Sequence, residues 1–354
     1  MGTDASGLTA LLEAEAARFT LQEPPDPTAP AGVVELETVR DGKPLGVGIH
    51  VKHLTTGEEA SVRPDVVFET QSVIKVTVAV RAYQLADAGL LDLDERVRLT
   101  RSDIVGGSGF LRYLQPGAEV TVRDLVTMML LASDNTATDL LLARVGGPDA
   151  LNAWLADSGY AHTRFAQSVL DAARFPYVLA DPGHAALTGA QAYALGHGDP
   201  GWAGMTPEWQ RGIEDQIAAL VARPLDEVRA LAKERGLPTC FGQMTPREAV
   251  RLLESIERGT AASAAGCAEM LAALREQQLG ERRLPGLLDE PVAHKTGDYP
   301  PFDANDIGVV YAASGPIAIA VFANDLAGDY QREEDRIGRI ARVVVDHFEA
   351  ADRA

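Results

Sequence analysis

The sequence predicts an α/β lobe, built on an antiparallel sheet flanked by terminal helices, plus an all-α lobe inserted into it. Segments with the period-two alternation of strands lie near both ends of the chain, and a long stretch with helical periodicity separates them. At 354 residues the chain is also long for a single core. We therefore expect a discontinuous sheet lobe at residues 1–66 and 246–354, and a helical lobe at residues 67–245.

The strands are predicted in two groups. The first group follows an amphipathic helix at residues 7–19 and a proline-rich linker, and it covers 33–39, 45–51 and a short third strand after the turn at 55–58. The second group, which precedes a closing helix, covers 292–296, 307–313 and 317–323. Short connections within each group favour antiparallel pairing.

The middle of the chain is predicted to be mainly helical. One helix begins near Ser72 and ends at Gly89, where a glycine is typical of a helix C-terminus. Residues 166–203 have little periodicity, whereas residues 206–235 form a further helical pair, interpreted as an insertion. The glycine-rich residues 106–109 lack the strand, helix start and lysine of a phosphate-binding loop, so we interpret them as a flexible loop.

The functional interpretation starts from Phe68–Lys75, which places Ser72 and Lys75 in a Ser-x-x-Lys pattern before an apolar run. Positions i and i+3 share one face of a helix, so the serine hydroxyl and the lysine amine can meet. A serine hydroxyl is a weak nucleophile until a base takes its proton, and a lysine amine can be that base where its surroundings disfavour the ammonium form. Alone, the pattern is more often an exposed serine and lysine on one helix face than a catalytic pair.

Two further motifs make the catalytic interpretation much stronger. Ser-Asp-Asn at residues 133–135 follows an apolar helix, and Lys-Thr-Gly at residues 295–297 lies on a predicted strand. These three motifs, in this order, resemble those of the class A β-lactamase-like family of serine hydrolases and penicillin-binding proteins. The resemblance extends from about Val47 to Asp325 and implies the serine β-lactamase-like fold.

The resemblance also implies roles for the catalytic residues. Ser72 would be the acylated nucleophile, and Lys75 would be the base that activates it. Ser133 would relay a proton to the leaving group, and Lys295 would supply positive charge to a substrate carboxylate and to that relay. No cofactor is implied.

Further residues are implied to bind the substrate. Asn135 would hydrogen-bond the side-chain amide of the substrate, and Thr296 would bind its carboxylate. Gly297 lies between Thr296 and Asp298, and the backbone N–H of Asp298 would form the oxyanion hole together with that of Ser72.

The sequence departs from the family pattern where the family's β-lactamases carry a glutamate that activates the deacylating water. Counting without gaps from the Ser-Asp-Asn motif leads to Val169, and Asp171 is the nearest carboxylate. Asp171 is therefore the candidate deacylation base, and without a glutamate we expect slow deacylation. The stretch after Gly297 also lacks an arginine, and Asp298 and Asp303 are expected to oppose an anionic substrate by charge.

Composition limits the partners. A net charge of −19 disfavours nucleic acids and anionic membrane surfaces, and no apolar run is long enough to span a membrane. The seven histidines form no cluster with metal-ligand spacing, so no metal site is expected. No signal peptide is visible, so the sequence as it stands predicts a cytoplasmic protein, or a secreted or periplasmic one if a signal has been removed. The sequence leaves the oligomeric state open.

Three functions are consistent with these observations. The chain is a serine hydrolase that turns over an amide or ester, with β-lactams among its substrates. Alternatively, it is a peptidase- or esterase-like acyl transferase that β-lactams acylate and block. In the third reading it is a binding or sensing module whose acylated Ser72 is the signal. The expected partner in all three is a small-molecule or peptide acyl compound.

Overall fold

The computed structural model describes residues 5–23, 26–32, 34, 39, 46–197 and 205–352. The strands in these residues are β1 (Gly46–His53), β2 (Glu59–Val62), β3 (Phe68–Glu69), β4 (Arg96–Arg98), β5 (Glu119–Thr121), β6 (Arg164–Phe165), β7 (Gly242–Met244), β8 (Val292–Tyr299), β9 (Asp303–Ala312) and β10 (Gly315–Asn324).

The helices in the described residues are α1 (Ala5–Ala16), α2 (Lys75–Asp87), α3 (Val122–Leu131), α4 (Asn135–Arg144), α5 (Gly147–Asp157), α6 (Val169–Ala180), α7 (Gly189–His197), α8 (Pro207–Val221), α9 (Leu225–Glu234), α10 (Pro246–Glu257), α11 (Ala264–Arg275) and α12 (Tyr330–Asp352). A 3₁₀ turn at Gln71–Ile74 leads directly into α2.

The main sheet joins the two ends of the chain. Its five antiparallel strands lie in the order β2-β1-β10-β9-β8, so β1 from the N-terminal part pairs with β10 from the C-terminal part. A smaller three-stranded sheet, β3-β7-β6, lies where the chain passes between the main sheet and the helical middle. The fold is therefore the predicted one, an antiparallel sheet with terminal helices and inserted helices.

The two faces of the main sheet contact different helices, because successive side chains of a strand point to opposite faces. In β10, Ile319 and Val321 belong to the apolar cluster that contains α1 and α12. Ala320 and Phe322, which alternate with them, belong to the larger cluster that contains α2, α3 and α10. The sheet thus separates the terminal helices from the helical middle.

Helix α2 occupies the centre of the helical middle. Its first six residues, from Lys75 to Val80, are all buried, as are Ala82 and Tyr83. A helix that is buried on all sides is typical of the core of a larger unit, and its position fixes the turn that carries Ser72.

Three of the helices that the structure describes were not predicted from the sequence. The helices α6 and α7 lie in residues 166–203, where the sequence showed little periodicity, and α11 was not predicted. Helix α6 contains Pro176, a residue that disfavours a helix interior. Helices α7 and α11 are rich in alanine, which gives little of the polar and apolar contrast from which helices are predicted. The predicted helical pair at 206–235 is present as α8 and α9.

The predicted strand at 33–39 lies outside the described residues except for Val34 and Val39. The proposed boundary between two lobes stays a prediction. None of the helices in the described part of the chain has the length and apolar character required to cross a membrane.

The docking of α1 on the sheet can be tested with two leucines of the same helix. Leu12 is fully buried, whereas Leu11 is 47% exposed. Leu12→Ala should lower the free energy of unfolding by about 2–5 kcal/mol, because it removes buried methyl groups and leaves a cavity. Leu11→Ala should change it by no more than about 0.5 kcal/mol. Urea denaturation of both variants measures the difference, and equal effects would contradict the packing of α1 on the sheet.

Candidate active site

Ser72 lies in the 3₁₀ turn before α2, with the residues on both sides of it buried. Gln71 has a left-handed backbone with φ of 47°, which is costly for a residue with a side chain. The Gln71 Nε2 donates a hydrogen bond to Asp303 Oδ2 at 2.8 Å, and Asp303 is fully buried. Asp303 therefore anchors the turn from beneath the site. That its charge opposes an anionic substrate stays a prediction.

Lys75 begins α2, and its side chain is fully buried. Its Nζ lies 2.7 Å from the carbonyl oxygen of Ser133 and 2.7 Å from Oδ1 of Asn135. The hydroxyl of Ser133 is 3.2 Å from the same nitrogen. The structure thus brings the Ser-x-x-Lys and Ser-Asp-Asn motifs together around one amine.

Asp134, the central residue of the Ser-Asp-Asn motif, holds this turn in place. Ser133 has a left-handed backbone with φ of 53°, so the turn needs external support. The buried Asp134 carboxylate accepts hydrogen bonds from the N–H groups of Phe110 (2.6 Å) and Leu111 (2.8 Å) with one oxygen, and from that of Ala137 (2.9 Å) with the other. It caps α4 and ties it to the preceding loop.

The glycine-rich loop at residues 106–109, predicted to be flexible, is part of the site. Ser108 Oγ donates to the carbonyl of Ser133 at 2.7 Å, and the Ser108 carbonyl accepts from the N–H of Asn135 at 3.1 Å. Gly109 has φ of +102°, and a Cβ there would lie 2.4 Å from Cα of Asp134, so only glycine permits this approach. Sequence analysis missed Ser108; the serine within a glycine run was the available signal.

Lys295 and Thr296 lie on the edge strand β8, and both are fully buried. The Lys295 Nζ donates to the carbonyl of Thr296 at 2.8 Å. The hydroxyl oxygen of Thr296 is buried and has no hydrogen-bond partner among the described residues. Because buried hydroxyls are normally paired, this group is available to a bound molecule.

Gly297 allows β8 to approach the turn that carries Ser72. A Cβ at this position would lie 2.1 Å from the carbonyl oxygen of Thr70 and 3.1 Å from the backbone nitrogen of Ser72. The absence of a side chain therefore lets the β8 backbone at Gly297 approach the backbone of Thr70 and Ser72.

The charge of Asp298 is balanced by a residue that sequence analysis missed. Arg283 is fully buried and forms an ion pair with Asp298, and it also pairs with Glu334 at 2.9 Å. Its Nη1 donates to the carbonyl of Asn305 at 2.8 Å. Although burial opposes the charge of Arg283, the neighbouring carboxylates raise its pKa above the ordinary value. Asp298 is thus paired with a cation, and that its charge opposes an anionic substrate stays a prediction.

The two lysines of the site have weakened basicity. Burial, reinforced by the charge of Lys295, lowers the pKa of Lys75 well below its ordinary value against the opposing effect of Asp134, Asp139 and Asp298. Burial also lowers the pKa of Lys295 to about 8, although Asp298 and Asp306 favour its charged form. A neutral Lys75 amine is the form that can accept a proton from a hydroxyl.

Asp171 lies away from these residues at the N-terminus of α6. Its side chain is 57% exposed, accepts a hydrogen bond from Ser168 Oγ at 2.7 Å and lies 3.5 Å from Arg174. Val169, the first residue of α6, is instead held by Asp139, whose two oxygens accept from the N–H groups of Val169 (2.8 Å) and Leu170 (2.9 Å).

Asp139 is a carboxylate whose charge interacts with Lys75 and which sequence analysis did not single out. It lies one helical turn after Asn135 on α4, on the same helix face. Burial raises its pKa to about 6, against the opposing effect of the two N–H bonds and of Lys75. In the described part of the chain, no group of three or more His, Cys, Asp or Glu residues is arranged to hold a metal ion.

Comparison with known proteins supports the assignment suggested by this geometry. A family model described as the beta-lactamase enzyme family matches residues 34–348. The chain belongs to the beta-lactamase enzyme family. Among curated members, it is similar to the extended-spectrum beta-lactamase PER-1 of Pseudomonas aeruginosa, with 24% identity over 319 residues that cover 87% of this chain and 84% of that protein.

Solved structures show the same fold. A beta-lactamase from Sphaerobacter thermophilus has a TM-score of 0.65 at 23% identity, with coverage of 99% of this chain and 98% of that one. A mutant of PBP-A, in an acyl-enzyme complex with penicillin G, has a TM-score of 0.63 at 20% identity, with coverage of 98% and 97%. At these identities, the solved structures establish that the chain has the fold of the family.

The weakened basicity of the two buried lysines can be measured directly. The chain has five lysines, so the side-chain amines can be followed individually by NMR with labelled lysine. Lys295 should titrate near pH 8, Lys75 well below its ordinary range, and Lys52 above it because of its hydrogen bond to Glu254. Asp298→Asn should lower the pKa of Lys295 further, because a charge that favours the ammonium form is removed. Titration of Lys295 at its ordinary value of 10.5 would contradict its burial.

Proposed function

We propose that the protein is a serine hydrolase that attacks an amide or ester, β-lactams included, through an acyl-Ser72 intermediate. The observation that carries this proposal is the fully buried Lys75 amine, held 2.7 Å from both the Ser133 carbonyl and Asn135 Oδ1 and one helical turn after Ser72. An amine with a lowered pKa, one helical turn from a half-buried serine, is the arrangement that nucleophilic catalysis needs.

Acylation would begin with proton transfer from Ser72 Oγ to the neutral Lys75 amine as the oxygen attacks the substrate carbonyl carbon. The ammonium formed in this way would pass a proton to Ser133, whose hydroxyl is 3.2 Å from Nζ. Ser133 would then protonate the leaving nitrogen or oxygen, and the bond from the carbonyl carbon to that atom would break. The product of this half-reaction is the acyl-enzyme.

The negative charge that develops on the carbonyl oxygen would be stabilised by two backbone N–H groups, those of Ser72 and Asp298. The close approach at Gly297 supports this pairing, since it leaves no room for a side chain between β8 and the nucleophile turn. The ion pair between Arg283 and Asp298 would keep the second donor rigid. Preorganised donors of this kind are typically worth about 3–4 kcal/mol of the barrier each.

A carboxylate on the substrate would bind beside the strand β8. Lys295 would supply the positive charge, and the unpaired hydroxyl of Thr296 would donate a hydrogen bond. Asn135 would bind the amide of the acyl side chain through its own side-chain amide.

We expect deacylation to be slow. Counting without gaps from the Ser-Asp-Asn motif places Val169 where the family's β-lactamases carry the glutamate, and a valine cannot activate water. Asp171 is exposed and engaged with Ser168, and Asp139 already accepts an N–H on each oxygen. The second candidate function, a β-lactam-binding protein that does not turn over, rests on the same observation. The PBP-A mutant forms an acyl-enzyme complex with penicillin G, so a penicillin is a suitable probe of acylation here.

Intact-protein mass spectrometry over time, after mixing with benzylpenicillin and in parallel with an aryl ester, tests the proposal. We expect a penicillin adduct that forms within minutes and persists for hours, because acylation has its base and deacylation lacks one. Ser72→Ala should form no adduct with either compound.

Each alternative outcome has a distinct meaning. Rapid loss of the adduct with accumulation of penicilloate would contradict slow deacylation, and Asp139→Asn and Asp171→Asn would then show which carboxylate is the base. Turnover of the ester without a penicillin adduct would restrict the substrates to other acyl compounds. The absence of any reaction that depends on Ser72 would refute the proposed function.

The role of the Gly297 contact is tested by Gly297→Ala. A Cβ there would force β8 away from Ser72 and separate the two proposed oxyanion donors, so the rate of acylation should fall about 100-fold or more. Gly212→Ala is the matched control, since a Cβ at Gly212 in α8 meets nothing within 4 Å. It should leave acylation unchanged. Equal rates for the wild type and Gly297→Ala, measured with the folded proteins, would exclude this oxyanion hole.

A further inference from the structure

A cavity of about 810 Å³ lies between the segment 101–116 and the helix α7. Two arginines, Arg101 and Arg112, line it together with Tyr113 and Tyr193. No aspartate or glutamate is among the described residues that line it. This concentration of positive charge is notable because the whole chain has a net charge of −19. Such a volume is typical of small-molecule sites.

Arg112 is held in a fixed position at this cavity. Its Nη1 donates to the hydroxyl of Tyr193 at 3.1 Å, and its Nη2 donates to that of Tyr113 at 2.5 Å. The guanidinium carbon lies 4.7 Å from the ring centroid of Tyr113 and 5.4 Å from that of Tyr193. The side chain is therefore preorganised before any ligand binds.

The charge of Arg112 is not neutralised within the described part of the chain. Among those residues its side-chain partners are the two tyrosine hydroxyls and no carboxylate, and its Nε is buried without a hydrogen-bond partner. The tyrosine hydroxyls accept from the guanidinium, so the Tyr113 hydroxyl keeps its own proton to donate. Each terminal nitrogen of Arg112 keeps a second N–H beyond the one given to its tyrosine, and such N–H groups beside an O–H donor are suited to bind a carboxylate.

The cavity adjoins the candidate active site. Gly106 lines the cavity, and its carbonyl accepts a hydrogen bond from Asn135 Nδ2 at 2.8 Å. The other end of the same amide, Asn135 Oδ1, accepts from Lys75 Nζ at 2.7 Å. A substrate whose amide binds at Asn135 would thus have its acyl side chain directed toward the cavity. Phe110 and Leu114, which are 53% and 41% exposed, provide apolar surface along this segment.

We propose that the cavity is a side-chain subsite that selects acyl substrates whose side chain ends in a carboxylate on an apolar spacer. Arg112 binds the carboxylate, Tyr113 donates a hydrogen bond to it, and Arg101 adds positive charge. The proposal deepens the proposed function, on which it rests, by specifying the substrate class.

The test compares two penicillins with side chains of six carbons, one 5-carboxypentanoyl and one hexanoyl, which differ only in the terminal carboxylate. The rate constant of Ser72 acylation is measured by mass spectrometry at sub-saturating concentrations. Wild-type protein should react about 10- to 100-fold faster with the carboxylate-bearing compound, which is the effect of a hydrogen bond to a charged group. Arg112→Gln should remove this preference and leave the rate with the hexanoyl compound unchanged.

Arg332→Gln is the matched control for net charge. Arg332 is an exposed residue of α12, on the other side of the sheet, and its substitution should preserve the preference. A wild type that shows no preference, or an Arg112→Gln variant that retains it, would overturn the subsite. An equal loss of rate with both penicillins in Arg112→Gln would assign the residue a purely structural role and would also overturn it.

A second measurement separates the subsite from the catalytic proposal. Calorimetry with 6-phenylhexanoate, which has neither an amide nor an ester bond, measures binding of the carboxylate without acylation. Wild-type protein should bind it at least about 10-fold more tightly than Arg112→Gln. Such binding in a protein that no penicillin acylates would retain the site and refute only the proposed function. Equal or absent binding in both proteins would refute the subsite.

Discussion

The burial of Lys75 is the constraint on which the rest of the site depends. An amine removed from water is tolerated only where each of its hydrogen-bonding positions is met by a fixed partner. The partners here are the carbonyl of Ser133 and the side chain of Asn135, at the start of a different helix. Helix α4 must therefore be positioned against α2 to within a fraction of an ångström. The left-handed turn at Ser133 and the three hydrogen bonds to Asp134 provide that positioning.

The charged residues near Lys75 contribute more to the geometry of the site than to the stability of the fold. Buried ion pairs such as that of Arg283 and Asp298 often add little net stability, because desolvation offsets their attraction. They do fix geometry, and here they hold the strand edge that follows Gly297. The same low-dielectric surroundings that lower the basicity of Lys75 also strengthen these interactions. Both effects depend on the exclusion of water from the surroundings of the Lys75 amine.

The sequence was sufficient for the fold and for the residues that carry the motifs. Period-two segments at both ends of the chain predicted the sheet, and the motifs around Ser72, residues 133–135 and residues 295–297 identified side chains that the structure brings together. Arg283 could not be predicted, since it lies in a loop and meets Asp298 only through folding. Asp139 was also missed, because its role arises from hydrogen bonds to the backbone of α6 that no side-chain pattern reveals, whereas Ser108 had a signal in its glycine run. Helices α6 and α7 lacked the contrast needed for prediction.

One wall of the cavity and the buried Lys75 amine belong to separate pieces of the chain. Tyr193 is on α7, in the irregular middle segment, whereas Lys75 and Asn135 are on helices of the central core. Mutations in α7 can therefore change which side chains the cavity accepts while the buried amine keeps its surroundings. In evolutionary terms, the surface proposed to choose the substrate would be free to drift while the proposed chemistry stays the same. A lineage of such proteins would be expected to diversify in what it accepts long before it changes what it does.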